Sequence, residues 1–317
     1  MSILLEHLRK SYGAEDVLHD VSDVIPDGSL TALLGPSGSG KSTLLKMIAG
    51  LESVDAGRVV LHGRDVTRLP ARERNIGFCF QDYAPFYQLS VFDNIAYGLK
   101  VRKMSNSAIR AEVSQLLELV RLTPFADRFP RQLSGGQRQR MALARALAIK
   151  PDVLLLDEPF AALDAQVGGE MRQWVRSLQR ELGITTLLVT HNQAEAMEVA
   201  DRVVILQQGR IEQVGAPSEV YDAPANEFVK SFLGPTSPFG TASIRPHDLV
   251  IEVSGIGESG VVTDLIRLGF EVRVVVTLDT TQKVWVQLTH HEAADRNIRV
   301  GERVGVRQRM RESVSLG

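Results

Sequence analysis

The stretch LTALLGPSGSGKSTLLKMIAG, Leu30 to Gly50, decides the fold. Its opening Leu30–Leu34 is mostly apolar and reads as a buried strand, and Ser42–Ala49 has the periodicity of a helix. Between them lies GPSGSGKS, Gly35 to Ser42. Glycines let the backbone wrap closely, so successive N–H groups converge on an anion, and the following helix points its positive end at the same place. The residues Gly35, Pro36, Ser37, Gly38, Ser39, Gly40, Lys41, Ser42 and Thr43 are therefore expected to cradle phosphate. Lys41 would bridge the β- and γ-phosphates, and the Ser42 hydroxyl would ligate Mg²⁺. A glycine-rich turn that binds nothing is the plain alternative. A strand before the loop and a helix after it argue against that.

Outward from the cradle, short apolar runs alternate with amphipathic stretches, which predicts an α/β domain around a largely buried sheet. Strands are expected at Ile76–Phe80, Val153–Asp157, Thr186–Thr190 and Val203–Leu206. Helices are expected at Ser107–Val120, Gly136–Ala148 and Met171–Leu182. From about residue 88 to 152 the pattern is helical only, the mark of an insertion. The domain is expected to run from 1 to 234, with a linker at 235–243 that holds PTSPFG. The remainder, 244–317, turns to short β-rich runs (Glu271–Val276, Val284–Leu288, Arg303–Arg307) punctuated by Gly255, Gly257, Gly260 and Gly269. It reads as a small barrel- or sandwich-like domain.

VLLLDEP, Val153 to Pro159, is the second nucleotide signal. Acids at the carboxyl end of a buried strand stand where ligands bind in open α/β sheets. Asp157 is placed to hold Mg²⁺ with Ser42, and Glu158 is the candidate general base for an attacking water.

Composition narrows the field. The chain has 317 residues, 44% hydrophobic and 23% charged, with a formal net charge of -2. That balance lacks the basic footprint of a nucleic-acid binder. The single cysteine, Cys79 between Phe78 and Phe80, excludes an intrachain disulfide and reads as a buried thiol. The opening MSILLEHLRKSYG has no secretory pattern, and no apolar stretch approaches the roughly 20 residues that cross a bilayer. Any service to a membrane is expected to work by docking onto other subunits.

LSGGQ, Leu133 to Gln137, resembles the signature of ABC-transporter nucleotide-binding domains, a branch of the P-loop NTPases. Read from its residues alone, Ser134, Gly135, Gly136 and Gln137 offer either a second anion-binding element or an ordinary capped helix start. The family's other motifs follow in order over residues 3–234. Tyr12 resembles the aromatic that stacks on adenine. Gln81, ending GFCFQ, resembles the glutamine that touches Mg²⁺ and the attacking water and senses the transport subunits. Leu163 and Asp164 in AALDA resemble the loop facing the opposite subunit, although Asp164 also suits a helix N-cap. His191, ending LLVTH, resembles the switch histidine at the γ-phosphate. Importer ATPases commonly carry Asp where this chain has Asn192, and a tuning effect at most is expected.

The resemblance implies an ATP hydrolase with Mg²⁺, in which Glu158, His191 and Gln81 act at the chemistry. It implies a homodimer that clamps ATP between one subunit's phosphate loop and the other's signature segment. The dimer would power two membrane-spanning permease subunits, and indirectly an extracytoplasmic solute-binding protein, from the cytoplasmic face of the inner membrane. The apolar and aromatic run Tyr83–Leu99 is either the coupling surface or the core of the insertion, or both for different residues. The β-rich C-terminal region points to importers with an OB-like regulatory domain. Within these the resemblance is nearest to sulfate and thiosulfate systems, through SIRPHDL (Ser243–Leu249) and LGFEVRV (Leu268–Val274). Sugar, polyamine, iron and molybdate importers are the alternatives. An ABC ATPase of DNA repair or translation is remote, since neither long coiled coils nor tandem nucleotide domains are present. An ATP-sensing module without turnover is opposed by Glu158 and His191. In the C-terminal region, Arg245 and His247 suit a polar strand start more than an anion pocket. The arginines Arg296, Arg299, Arg303, Arg307, Arg309 and Arg311 read as a solvated face with interleaved acids.

Overall fold

The computed structural model describes residues 3–161, 163–252 and 256–309, and the sheets and helices named here are those of the described residues. The chain divides into two units, Met1–Ala225 and Asn226–Gly317. No helix among the described residues is long and apolar enough to cross a membrane.

The first unit opens with a long antiparallel pair, β1 (Ile3–Tyr12) and β2 (Glu15–Ile25), before the phosphate-loop strand β3 (Leu30–Leu34) and helix α1 (Lys41–Ala49). Strands β4 (Ala56–Leu61) and β5 (Arg64–Asp65) complete a four-stranded sheet in the order β2-β1-β4-β5. This sheet is not among the strands expected from the sequence. Bulges, with His7 and Asp20 at positive φ, interrupt the period-two alternation along β1 and β2 that would have announced it.

β6 (Ile76–Cys79) then leads into the helical insertion of α2 (Val91–Val101), α3 (Asn106–Leu119) and α4 (Gly135–Leu147). Afterwards the chain returns through β7 (Val153–Asp157), α5 (Ala165–Leu182), β8 (Thr185–Thr190), α6 (Gln193–Val199), β9 (Arg202–Gln207), β10 (Arg210–Gly215) and α7 (Pro217–Asp222). The second sheet has six strands in the order β10-β9-β3-β8-β7-β6, parallel except for β10. The five residues of β3, the five of β7 and the six of β8 are all buried, as expected for central parallel strands covered on both faces.

Helix α1 sits in the core between the two sheets. Leu44, Leu45, Met47 and Ile48 are buried with Ile3, Leu5, Leu8 and Val59 of the antiparallel sheet and Leu155, Leu187 and Val189 of the parallel one. Its C-terminal carbonyls are satisfied by a buried arginine: Arg74 Nη1 donates to Met47 O at 2.7 Å and Ile48 O at 2.9 Å. A cation there complements the helix dipole, so α1 is fixed at the end away from the phosphate loop.

The second unit begins with α8 (Glu227–Phe232), ahead of the expected boundary at residue 234. Arg245, buried, donates to the carbonyls of Gly234 and Pro235 and ties that stretch into the unit. The segment 235–243 carries a short hairpin, β11 (Ser237–Phe239) with β12 (Ala242–Ile244). Buried Ser237 accepts a hydrogen bond from the Trp285 N–H at 2.8 Å.

β13 (Leu249–Glu252), β14 (Glu258–Leu268), β15 (Glu271–Leu278), β16 (Lys283–Thr289), the helical turn α9 (His290–Asp295) and β17 (Arg303–Gln308) follow. The strands form an antiparallel sheet in the order β13-β17-β14-β15-β16 around a Val/Ile/Leu core. Gly260, expected to punctuate, lies inside β14, where a Cβ would come 2.7 Å from Thr277 O, and Gly255 lies outside the described residues. Arg307 pairs with Glu252 and Arg303 with Asp279. Arg296 instead donates to the Ile251 carbonyl, and Arg311 lies outside the described residues.

Candidate nucleotide site

Four neighbouring parallel strands, β3, β8, β7 and β6, end along one edge of the sheet, and each delivers part of the site. β3 runs into the phosphate loop, β8 into His191, β7 into Asp157 and Glu158, and β6 into Gln81. Register holds these ends level: Leu34 pairs with Thr190, Asp157 with Val189 and Cys79 with Leu156.

In the phosphate loop, Ser37 and Gly38 form the exposed tip, while Gly35, Ser39, Gly40 and Lys41 are buried. Two glycines are dictated by space. At Gly35 a Cβ would stand 2.1 Å from Leu206 O of β9. Gly40 is the N-cap of α1 at φ 97°, and a Cβ there would meet Leu18 Cδ2 at 2.7 Å. The loop is thus pressed between β9 and β2. Lys41 folds back on it, with Nζ donating to Gly35 O at 2.9 Å and Pro36 O at 2.7 Å.

At the mouth of α1 the Ser42 hydroxyl donates to Asp157 Oδ1 at 3.0 Å. A hydroxyl beside a carboxylate is a hard-oxygen donor pair of the kind Mg²⁺ takes together with phosphate oxygens. Burial pushes the Asp157 carboxyl above the usual carboxylate range, against the pull of the Ser42 hydrogen bond. Burial likewise pulls the Lys41 ammonium below the usual lysine value, while the Glu158 and Asp157 carboxylates pull it back up. A dication and a polyphosphate together would relieve both strains.

Glu158 follows at φ 45°, a left-handed conformation that a glutamate rarely adopts. Its N–H donates to Val189 O at 3.0 Å, which holds the turn against β8. The carboxylate has two partners: Gln81 Nε2 at 3.3 Å from one oxygen and His191 Nδ1 at 3.1 Å from the other. Tyr83, two residues beyond Gln81, donates its hydroxyl to Pro159 O at 3.1 Å. Arg145 grips the carbonyls of Tyr83 and Ala84 at 2.7 Å each, so the Gln81 loop and the Glu158 turn are braced together. Neither Tyr83 nor Arg145 stood out in the sequence as part of the site, since nothing in its pattern tells a brace from a core residue.

Asn192 caps α6, its side chain accepting from Ala194 N at 2.9 Å and Glu195 N at 3.4 Å. Asp can accept the same bonds, so the cap itself does not require Asn. Tyr12 lies at the end of β1, half exposed, and its hydroxyl reaches Glu52 and Thr43, the residue after Ser42.

Ser134 and Asp164 cap α4 and α5. Ser134 Oγ accepts from Gln137 N, and Gln137 Oε1 accepts from Ser134 N. Asp164 Oδ1 accepts from Val167 N at 3.0 Å. Gly136 brings these two helix starts together, because a Cβ there would be 3.1 Å from Val167. Gly135 begins α4. Among the described residues no hydrogen bond links either cap to the phosphate loop.

The Tyr83–Leu99 run divides as both expectations allowed. Tyr83, Val91, Ile95, Ala96 and Leu99 are buried, whereas Phe86, Tyr87 and Tyr97 stay exposed. The Phe86 and Tyr97 rings are tilted by 36° with centroids 4.4 Å apart, and Arg145 lies over Phe86.

Comparison with known proteins places the chain in a family. Residues 18–161 match the family model of the ABC transporter, and residues 242–314 match that of the TOBE domain. A sulfate/thiosulfate import ATP-binding protein of Mycobacterium tuberculosis H37Rv is 53% identical over 321 residues, covering 96% of this chain and 92% of its own. The protein of the same name from Thermosynechococcus vestitus is 48% identical over 100% of this chain and 99% of its own. Among solved structures, the dimeric post-hydrolysis ATP-binding cassette MJ0796 with ADP and phosphate superposes with a TM-score of 0.61. It shares 34% identity over 68% of this chain and 98% of that one.

Proposed function

The chain belongs to the family of ABC transporter ATP-binding subunits, and on that premise we propose that it hydrolyses ATP to drive sulfate and thiosulfate import. The ATPase assignment rests on one juxtaposition: the Ser42–Asp157 pair beside a glutamate held between Gln81 and His191.

ATP enters with its phosphates over Gly35–Thr43, where the loop N–H groups and the α1 N-terminus meet the β- and γ-phosphates. Lys41 leaves its own loop carbonyls for the phosphate oxygens, a stronger charge-assisted partner. Ser42, Asp157 and the Gln81 amide oxygen would hold Mg²⁺, which would supply neutralising charge to the phosphates. Glu158 accepts the proton of a water as that water's oxygen bonds to the γ-phosphorus. The β–γ bridging bond breaks, and ADP and phosphate result. His191, held through Nδ1, keeps Nε2 for the γ-phosphate and fixes the glutamate.

The chain works as a dimer with membrane permease partners, as an importer ATPase of this family does. Ser134, Gly135, Gly136, Gln137 and Asp164 are assigned to the partner protomer's ATP. Their place at two adjacent helix starts, unlinked to the phosphate loop of their own chain, supports that assignment. The exposed platform of Phe86, Tyr87 and Tyr97, rooted beside the Gln81 loop, is assigned to the permease at the cytoplasmic membrane face. Sulfate and thiosulfate are the cargo of relatives that span nearly the whole chain.

A phosphate-release assay on the wild type and Glu158→Gln tests the catalytic assignment. The variant is expected to bind ATP and to release phosphate about 10²–10⁴-fold more slowly. Wild-type turnover by Glu158→Gln would remove Glu158 as the base.

A further inference from the structure

Lys10, two residues before Tyr12, has no assigned role. It is only 5% exposed, yet carries a charge at the edge of the nucleotide site. Its Nζ donates to Ser53 Oγ at 3.0 Å and Asp55 Oδ1 at 3.0 Å, and lies 3.2 Å from Glu52 Oε1. The same ammonium lies over the Tyr12 ring, 5.1 Å from its centroid. Asp55 also accepts from the Ser11 N–H at 2.8 Å, so the end of β1 is fastened to the loop that follows α1. Glu52 closes the arrangement, since its carboxylate lies beside the Tyr12 hydroxyl as well as the lysine. On its other side that hydroxyl reaches Thr43 in the first turn of α1. The ring is therefore flanked at its tip by α1 and Glu52 and covered on one face by a cation. It remains 47% exposed.

We propose that Lys10 is a positioning residue for the nucleobase, holding the Tyr12 ring from one face and through Glu52 so that the other face receives the purine. This rests on the reading of Tyr12 as the base-stacking residue. Two physical effects follow from the placement. The ring is ordered before the base arrives, so less freedom is lost on binding. A cation on one face draws ring electron density from the other, which suits stacking by an electron-rich purine. Because Lys10 touches neither the phosphate loop nor Asp157, its effect is confined to the base.

The test is calorimetric titration of the full-length chain with ADP and, separately, with inorganic pyrophosphate, both with Mg²⁺. Tyr12→Ala is expected to weaken ADP about 5- to 150-fold. Lys10→Met is expected to weaken it about 2- to 30-fold. Lys10→Arg, which keeps a cation over the ring, recovers most of the loss. Pyrophosphate affinity stays within about two-fold in all three, which also shows that the fold is intact. If Tyr12→Ala weakens ADP and Lys10→Met does not, the role of Lys10 is overturned while stacking stands. If Lys10→Met weakens ADP and pyrophosphate alike, the lysine serves the fold and the proposal fails. If Tyr12→Ala leaves ADP binding unchanged, the stacking reading fails, and the proposal with it.

Discussion

His191 Nδ1 and Glu158 Oε1 lie 3.1 Å apart, carried to each other by the ends of the adjacent strands β8 and β7. The contact gives the histidine one nitrogen for the base and leaves the other for phosphate. His191→Ala is expected to lower phosphate release by about 10²-fold or more while ATP still binds. Parallel measurement of phosphate release and nucleotide affinity separates the two effects. A loss confined to affinity would place His191 in ground-state binding only.

The buried Asp157 makes a pH-dependent prediction. Its carboxyl is held above its ordinary value of 3.8, first by burial, so the folded chain binds that proton more tightly than the unfolded chain. The stability this contributes is present below pH 3.8 and lost as pH rises through the raised folded value. Asp157→Asn removes the ionisation and keeps an acceptor for Ser42. Thermal melts in chelator are therefore expected to show the variant gaining on the wild type across that window and keeping the gain at neutral pH. Added Mg²⁺ and ADP stabilise the wild type and barely affect the variant.

Gly35 has no room for a side chain. Gly35→Ala places a Cβ against the backbone carbonyl of Leu206, and β9 or the loop must shift. Overpacking of this kind costs about 1–3 kcal/mol, and the displaced loop should lose nucleotide as well. Chemical denaturation and ADP titration of the variant measure both.

Asn192 caps α6 where importer ATPases commonly carry Asp. Asn192→Asp keeps both cap acceptors and places a negative charge at the start of a helix, where it is favourable. Turnover is expected to stay within about two-fold, whereas Asn192→Ala costs about 1 kcal/mol of stability. A large change in phosphate release by the Asp variant would give residue 192 a role beyond the cap.

Tyr97 tests the coupling platform. Because the ring is exposed, Tyr97→Ala should alter stability by no more than about 0.5 kcal/mol. Uptake is expected to fall further than hydrolysis, and the ratio of substrate moved to ATP spent, measured in reconstituted transporter, reports it.

The parallel strands and their site residues were legible because buried strands read as apolar runs and the chemistry sits directly at their ends, as in Leu30–Ser42 and Val153–Glu158. The antiparallel sheet was not, since the bulges at His7 and Asp20 break its alternation. The contacts of Lys10, Tyr83 and Arg145 were invisible for another reason. Each joins segments far apart in the chain, with Tyr83 meeting Pro159 and Lys10 meeting Asp55, and no local pattern announces such a partner. At Ser134 and Asp164 the cap reading is visible in the chain itself, because its hydrogen bonds are local.

The most direct test of the central claim is labelled sulfate uptake in cells lacking this gene, restored with the wild type or with Glu158→Gln, and with a labelled sugar in parallel. Uptake of sulfate restored by the wild type and not by the variant, with sugar uptake unaffected, is the predicted result. Sulfate uptake that is normal without the gene, alongside lost sugar uptake, would contradict it.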